Sequence, residues 1–389
     1  FFVLALIFLG VVGFRLFFSL QVEGFTGDDA YATLRQLDFI SENYSTMGYD
    51  ELGYGGRALL VSPLFYFFLA FMKFFASDFL VFKVLPEVLM GLVVVVVFFI
   101  TYEMTKNNTA ALFASLISGF IPLVVETTLN SISIYSLFLL LFLLLFYFLI
   151  KIIQGGSAYV DWFVFLSFLL PLLHPAAFIF ILSLVFYGVL MVSESIKVKT
   201  ITKELAFFSI FLVLLVEFII FKEGFLEHGF SLIQYNLPSR VIENYFVDFS
   251  LFSLLYSVGI VSFILGSMGI YIGFFKSKNQ NVFLFIGIIL AVLLLLLFKF
   301  IDFFNGLLFL GIAFSILAGF SLKYIYAYFA RTKIPNVRLG FNVVLLLAIF
   351  FLGIVPSYAV GQEVVNNGVA QEEIVALQSL EAFSGGAVL

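Results

Sequence analysis

The chain has 389 residues, of which 63% are apolar and only 11% are charged. These fractions lie outside the range of soluble globular domains, so a large water-exposed fold is excluded. The formal net charge is −5 and cysteine is absent. We therefore expect no disulfide, no thiolate-bound metal and no nucleic-acid partner. Since each helical crossing of a bilayer uses about 20 residues, the composition predicts an all-α, polytopic transmembrane helical bundle.

The apolar runs predict about eleven membrane-spanning helices. They cover residues 1–20, 85–103, 109–127, 134–150, 162–173, 176–192, 205–221, 251–275, 282–298, 303–326 and 341–360. Arg15 lies near the far end of the first run, from where its long side chain can extend to the membrane interface.

One further apolar run, residues 62–76, is predicted to be an interfacial helix. Ser62 is suited to cap a helix whose first residue is Pro63. Fifteen residues rise by about 22 Å, which is well short of a hydrocarbon core of about 30 Å.

The basic residues predict the orientation of the bundle. With the N-terminus inside, the turns on the inner side carry most of the lysines and arginines outside the first loop, as the positive-inside rule requires. These residues are Lys106, Lys151, Lys197, Lys199, Lys203, Lys276, Lys278, Arg331, Lys333 and Arg338. We predict an integral protein of the cell membrane, with its acidic loops and C-terminus outside.

The first outer loop carries the main candidates for chemistry. Residues 22–57 contain seven acids and two arginines between two apolar runs. Asp28 and Asp29 stand side by side at the start of a helix predicted over residues 30–40. Charge is costly at a membrane, so we interpret the pair as part of an active site. The structural alternative is that the pair caps that helix.

Three other places offer polar candidates. His174-Pro175 divides residues 162–192 into a predicted hairpin, where His174 either satisfies the turn or contacts an acceptor or phosphate. The loop over residues 222–248 is long enough to cover a site and carries Glu227, His228 and Arg240. Lys299 either forms an interfacial ion pair with Asp302 or contacts a phosphate.

Loss of apolar character after residue 360 predicts a domain boundary. Residues 1–360 form the predicted transmembrane catalytic domain. Residues 361–389 are expected to begin an extracytoplasmic soluble domain that the sequence truncates.

The order of these elements resembles a known superfamily. One span is followed by Asp28-Asp29-Ala-Tyr31 with Arg35 four residues after the tyrosine, by the Ser62-Pro63 helix, and by Lys83-Val-Leu-Pro86-Glu-Val-Leu-Met-Gly91. This order is similar to that of the GT-C integral-membrane glycosyltransferases. Within them the chain looks most like archaeal relatives of the oligosaccharyltransferase catalytic subunit and of the dolichyl-phosphate-mannose protein mannosyltransferases.

The resemblance implies a GT-C fold with a large first outer loop, and a polyprenyl (dolichyl) phosphate- or diphosphate-linked sugar donor. It implies an acceptor that is a protein, lipid or glycan, with membrane lipid around the protein. The oligosaccharyltransferase pattern places the functional carboxylate on Asp29, whereas the mannosyltransferase pattern places it on Asp28. Lys299 matches the basic residue that contacts the carrier phosphate.

The resemblance also bears on a metal. Where an Asp-x-Asp pair is expected in the second outer loop, the chain reads Glu126-Thr-Thr-Leu-Asn130-Ser-Ile-Ser133. Asp29 and Glu126 are then the candidate ligands of a divalent cation, Mg²⁺ or Mn²⁺, and no other cofactor is expected.

The residues themselves favour the same chemistry. Displacing a lipid phosphate from a sugar needs a carboxylate for the acceptor and a cation for the leaving group. Asp28 or Asp29 can supply the first, and Lys299, Arg35 or Arg240 the second. Alternatives are a transporter or flippase of lipid-linked sugars, and a non-catalytic scaffold. Transporters place ionisable groups at mid-membrane, where we find only Glu217.

Overall fold

A computed structural model of the chain describes residues 1–50, 56–229, 251–332 and 335–368. The first helices are α1 (Phe2–Ser19), α2 (Asp28–Asn43), α3 (Leu64–Lys73), α4 (Leu85–Thr105), α5 (Asn108–Gly119), α6 (Pro122–Thr128), α7 (Tyr135–Gln154), α8 (Val160–Leu173) and α9 (Ala177–Ser193). The later helices are α10 (Thr200–Ile220), α11 (Lys222–His228), α12 (Leu251–Val258), α13 (Ile260–Ile272), α14 (Gln280–Leu297), α15 (Phe303–Phe329), α16 (Val337–Ile349) and α17 (Val355–Asn366).

Short irregular elements complete the described fold. Strands β1 (Tyr49–Asp50) and β2 (Arg57–Ala58) pair antiparallel, with Tyr49 opposite Ala58. A π-helical turn over Leu80–Val84 leads into α4 just before Pro86, which has no N–H to donate. The chain is thus an all-α bundle with one small hairpin in its first loop.

Membrane-crossing capacity is concentrated in the long helices. Seven helices in the described part are long and apolar enough to cross a bilayer, or eight if the bent pair α5 and α6 forms one span. That pair bends by 48° at Pro122. Helices α8 and α9 are shorter, and α10 carries Lys203, Glu204 and Glu217. The total of about eleven crossings stays a prediction.

The basic turns meet at one end of the bundle, which we call the basic end. Glu103, near the end of α4, pairs with both Lys106 and Lys151. Nζ of Lys278, which precedes α14, lies 2.7 Å from Oε2 of Glu194, which follows α9. Thus the turns that follow α4, α7, α9 and α13 share one end, as the charge pattern requires; which side of the membrane this end faces stays a prediction.

The core lies around α15, whose apolar window is 83% buried. Phe142 of α7 contacts Phe309 of α15 with ring centroids 5.3 Å apart. Helix α13 approaches α15 closely at Gly266, where an added Cβ would lie 2.7 Å from the Phe314 carbonyl oxygen. Many of the phenylalanines therefore pack the bundle interior, while others, such as Phe207, are exposed on its outer surface.

The interfacial helix is shorter than predicted. Helix α3 has ten residues, and the buried Ser62 Oγ has no hydrogen-bond partner, so the prediction that Ser62 caps it is wrong. Pro63 occupies the capping position instead. Ser62 lies one residue outside the cap, too far back to accept from the first helical amides. Ten residues rise by about 15 Å, which is half a bilayer core.

The break at His174 separates two helices that run in opposite directions. Tyr159, just before α8, stacks on Phe148 near the end of α7 that lies at the basic end. His174, just after α8, contacts Tyr135, the first residue of α7. After α9 the chain returns to the basic end at Glu194. Helices α8 and α9 therefore form the predicted hairpin, with His174 at its tip.

The position of α3 can be tested by cysteine labelling, because the chain has no cysteine of its own. Ser77 is exposed just after α3. If α3 lies in the outer interface, an impermeant maleimide should label Ser77→Cys in intact cells. The control Thr109→Cys, exposed at the basic end, should react only after permeabilisation. Labelling of Ser77→Cys from the cytoplasmic side alone would contradict the interfacial position.

Candidate active site

The acidic pair lies in the first turn of α2, at the end of the bundle opposite the basic end. Gly27 caps this helix with φ of 87°, a conformation that favours glycine. No side chain caps it, so the prediction of a capping aspartate is wrong. Helix α2 begins two residues earlier than predicted, which places Asp28 and Asp29 inside it. Both are exposed, and the positive end of the helix dipole favours their charge.

Asp29 is the member of the pair whose charge acts on two tyrosines of the bundle. Burial raises the pKa of the Tyr66 hydroxyl, and the negative charge of Asp29 raises it further. The charge of Asp29 also acts on the hydroxyl of Tyr135, together with that of Asp302. Asp29 therefore lies within electrostatic reach of α3 and of the start of α7.

His174 lies beside the same tyrosine. Its ring centroid is 5.1 Å from that of Tyr135, and its Nδ1 accepts a hydrogen bond of 3.0 Å from the Ala176 amide. Burial among these rings lowers the pKa of His174 to about 4. The imidazole is therefore neutral at physiological pH and satisfies the turn. A role as a cationic phosphate contact loses its physical basis.

Lys299 lies in the turn between α14 and α15, three residues before Asp302. It is exposed, with φ of 58°. Asp302 Oδ2 accepts a 3.2 Å hydrogen bond from the Asn305 amide and so caps α15. Asp302 therefore serves as a helix cap. Together Asp29, His174, Lys299 and Tyr135 lie at one end of the bundle.

Arg35 points to a different partner. Its guanidinium donates two hydrogen bonds to the carboxylate of Asp50 in β1, one of them 3.0 Å long. These hydrogen bonds raise the pKa of Arg35. The pair joins α2 to the hairpin of the first loop, so a phosphate would have to compete with Asp50 for this arginine.

A buried polar network lies beneath the first loop. Arg15 Nε donates to Glu87 Oε2 at 2.7 Å, and Arg15 Nη2 donates to Thr128 Oγ1 at 2.9 Å. Arg15 is 1% exposed, so the prediction that it extends to the interface is wrong. The guanidinium stays buried because Glu87 of α4 provides a charged partner inside the bundle.

Two members of this network were missed as site residues. Lys83 and Asn130 are both buried, and Lys83 Nζ donates to Asn130 Oδ1 at 2.6 Å. The signal was present in Lys83, a lysine beside the start of an apolar run. Nothing in the local sequence around Asn130 shows its partners, because they come from other segments.

The remaining candidates are less well connected to Asp29. Glu126 is exposed and lies within electrostatic reach of Glu363 in α17. Glu227 is exposed on α11, whose last residue is His228, while Arg240 lies outside the described residues. Residues 369–389, which make up most of the predicted soluble domain, also lie outside the described residues. Helix α17 continues past residue 360, which is the predicted domain boundary. Within the described ranges, no three carboxylates or histidines come together as a metal site.

Comparison with known proteins identifies the fold. No protein-family model and no curated protein sequence matches the chain. The crystal structure of the Archaeoglobus fulgidus oligosaccharyltransferase in the apo form is similar to it, with a TM-score of 0.67 at 13% sequence identity. The fold is that of an oligosaccharyltransferase. The match covers 95% of this chain and 57% of the oligosaccharyltransferase, so the chain spans little more than half of that protein's length. This confirms the predicted all-α helical bundle with an oligosaccharyltransferase-like fold.

The low pKa of His174 predicts how stability depends on pH. The unfolded chain binds a proton below about 6.5, whereas the folded imidazole binds one only below about 4. Folding stability should therefore fall as pH drops from 6.5 to 4, by at most about 3 kcal/mol. His174→Asn keeps an acceptor for the Ala176 amide and should flatten this fall in unfolding measurements. Weaker donor binding by this variant would instead show that His174 contacts the substrate.

Proposed function

We propose that the chain is a glycosyltransferase that acts at the outer face of the membrane. It moves a sugar or oligosaccharide from a polyprenyl phosphate or diphosphate carrier to a protein, lipid or glycan acceptor. The observation that carries the proposal is Asp29: an exposed carboxylate that faces the bundle from the first turn of α2, on an oligosaccharyltransferase fold.

Asp29 supplies the negative group of the reaction. Because neighbouring helical residues point about 100° apart, Asp28 and Asp29 cannot both face one substrate atom. Asp29 faces the space beside Tyr66 and Tyr135, so it orients or deprotonates the acceptor, and Asp28 serves the helix start. The leaving phosphate needs a cation, which Lys299 provides from the same end of the bundle.

A divalent cation fits this arrangement in one way. The described residues do not gather three protein ligands, but Mg²⁺ is commonly held by one or two carboxylates together with substrate phosphates and water. Asp29 would hold such an ion, and Glu126 is the second candidate from the sequence. When bound, the ion would neutralise charge on the leaving phosphate.

The alternative of a transporter or flippase depends on Glu217. This carboxylate on α10 is 2% exposed, and neither of its oxygens has a hydrogen-bond partner. Buried acids of this kind occur along ion and proton paths. A path needs several such groups, however, and the other buried charges of the described part all have hydrogen-bond partners: Arg15, Lys83, Glu87 and Glu103. The enzyme is the better supported function.

The acidic pair gives the first test of this function. Asp29→Asn keeps the volume of the side chain but removes its charge, so transfer from polyprenyl-linked donors should fall about 100- to 10,000-fold. Asp28→Asn is the matched control and should retain most activity. Both proteins should fold, which is checked by thermal unfolding. The opposite ranking would favour the mannosyltransferase-like assignment, and full activity in the double variant would end the proposal.

Lys299 gives the second test. Lys299→Ala should weaken binding of the lipid-phosphate donor, whereas Lys299→Arg should retain part of the affinity because charge dominates a contact with one phosphate. Binding is measured by titrating donor into the protein in nanodiscs. Lys323→Ala, at a half-buried lysine near the inner end of α15, is a control for loss of a lysine. Equal donor affinity in Lys299→Ala and the unmodified protein would exclude the phosphate contact.

A further inference from the structure

We propose that Lys83 and Asn130 are positioning residues that hold residues 19–26 in place and thereby set the position of Asp29. This inference rests on the proposed function for its catalytic consequence, though its structural part does not. Neither residue is exposed to a substrate: Lys83 is 7% exposed and Asn130 is 3% exposed. They act on the reaction through the loop.

Lys83 holds the loop by its backbone. Its ammonium donates to the carbonyl oxygens of Ser19 at 3.3 Å and Val22 at 2.8 Å, and also to that of Gly24. The same nitrogen lies 4.6 Å from the centroid of the Phe25 ring, a cation–π contact. One charge therefore binds three backbone carbonyls between the end of α1 and Gly24.

Asn130 holds the same loop by its side chain and its backbone. Its Nδ2 donates to the Gly24 carbonyl at 3.3 Å and to Thr26 Oγ1 at 3.0 Å, and its carbonyl accepts from the Thr26 amide at 3.0 Å. Its Oδ1 accepts from Lys83 and, at 3.3 Å, from Ser19 Oγ. Its φ of 50° lies in the left-handed region, which asparagine tolerates better than most residues.

The two residues are themselves anchored in the bundle. Glu87 Oε1 accepts a 2.9 Å hydrogen bond from the backbone N–H of Asn130, while Glu87 Oε2 accepts one from Arg15 Nε. Lys83 precedes Glu87 by one helical turn, in the π-helical turn that leads into α4. The loop is thus tied to α1, α4 and the end of α6 at once.

The last residue held is close to the acidic pair. Thr26 is followed by Gly27, whose φ of 87° caps α2, and then by Asp28 and Asp29. With Thr26 fixed and Gly27 the only flexible link, the start of α2 has little freedom. Because a displacement of 1 Å can lower a rate about 100-fold, release of Thr26 is expected to affect the chemical step.

The geometry also argues against a direct role in binding. An ammonium has three protons, and Lys83 already has four acceptors within hydrogen-bond distance. A phosphate would therefore have to displace the backbone of the loop. The pattern is that of a positioning group.

Kinetics test the catalytic part of the inference. Asn130→Gly tolerates the positive φ and keeps the backbone contacts but removes the side chain, and Lys83→Met removes the charge. Each should lower kcat by about 10- to 100-fold with the donor KM changed less than about twofold. Lys83→Arg should restore part of kcat. Glu103→Gln, which disrupts the ion pairs at the basic end, is the control for lost stability and should keep kcat.

A distance measurement tests the structural part. Spin labels on Ala32→Cys in α2 and Ser193→Cys at the basic end, both exposed sites, should give a narrow distance distribution. Asn130→Gly should shift or broaden it, and Glu103→Gln should leave it unchanged. If Lys83→Met does not fold, Asn130→Asp carries the same test, because it keeps the acceptor for Lys83 but cannot donate to Gly24 and Thr26.

The outcomes separate this inference from the proposed function. Wild-type kcat in both Lys83→Met and Asn130→Gly overturns it, as does lost activity without any change in the distance. If the unmodified protein transfers no sugar from any polyprenyl-linked donor, the proposed function fails. The distance alone then decides: a displaced α2 in Asn130→Gly supports the positioning role, and an unchanged distance overturns it.

Discussion

The first outer loop depends on a charge that is buried inside the bundle. Arg15 and Glu87 are each 1% exposed, and moving two such charges out of water costs several kcal/mol per ion. Their mutual attraction offsets that cost only when their remaining donors and acceptors also have partners. Here Thr128 Oγ1 accepts from Arg15, and the backbone N–H of Asn130 donates to Glu87. Removal of one partner from such a pair typically costs about 3–5 kcal/mol. The pair therefore fixes α1, α4 and α6 relative to one another.

The loop then depends on these helices through backbone carbonyls. Residues 20–27 have no helix or strand, so their polar groups need partners from elsewhere. Lys83 supplies a charge-assisted donor, which binds carbonyl oxygens more strongly than a neutral one. This arrangement leaves the Asp29 carboxylate without a capping role: Gly27 caps the helix, and Lys83 and Asn130 hold the loop. Asp29 can face a substrate because other groups hold the backbone that carries it.

The sequence predicts the helices well and the buried network poorly. Long apolar runs identify α1, α4, α7 and α14, because length and hydropathy are local properties. The Asp28-Asp29 pair is visible because charge is rare elsewhere in the chain. The partners of Arg15 are 72 and 113 residues away, so burial and exposure of that arginine look alike in the sequence. Hydropathy shows that a charge is costly but cannot show which distant residue compensates for it.

The amide at position 130 limits where acidic ligands can lie. Asn130 both donates and accepts within the network, and an ionised carboxylate can only accept. An aspartate there would leave Thr26 Oγ1 without this donor and the Gly24 carbonyl with Lys83 alone. It would also add a second negative charge beside Glu87. A loop that uses position 130 to hold the backbone therefore cannot also use it to bind a cation. Of the two described carboxylates predicted as cation ligands, Asp29 and Glu126, Asp29 is the one whose charge acts on the tyrosines at the end of the bundle.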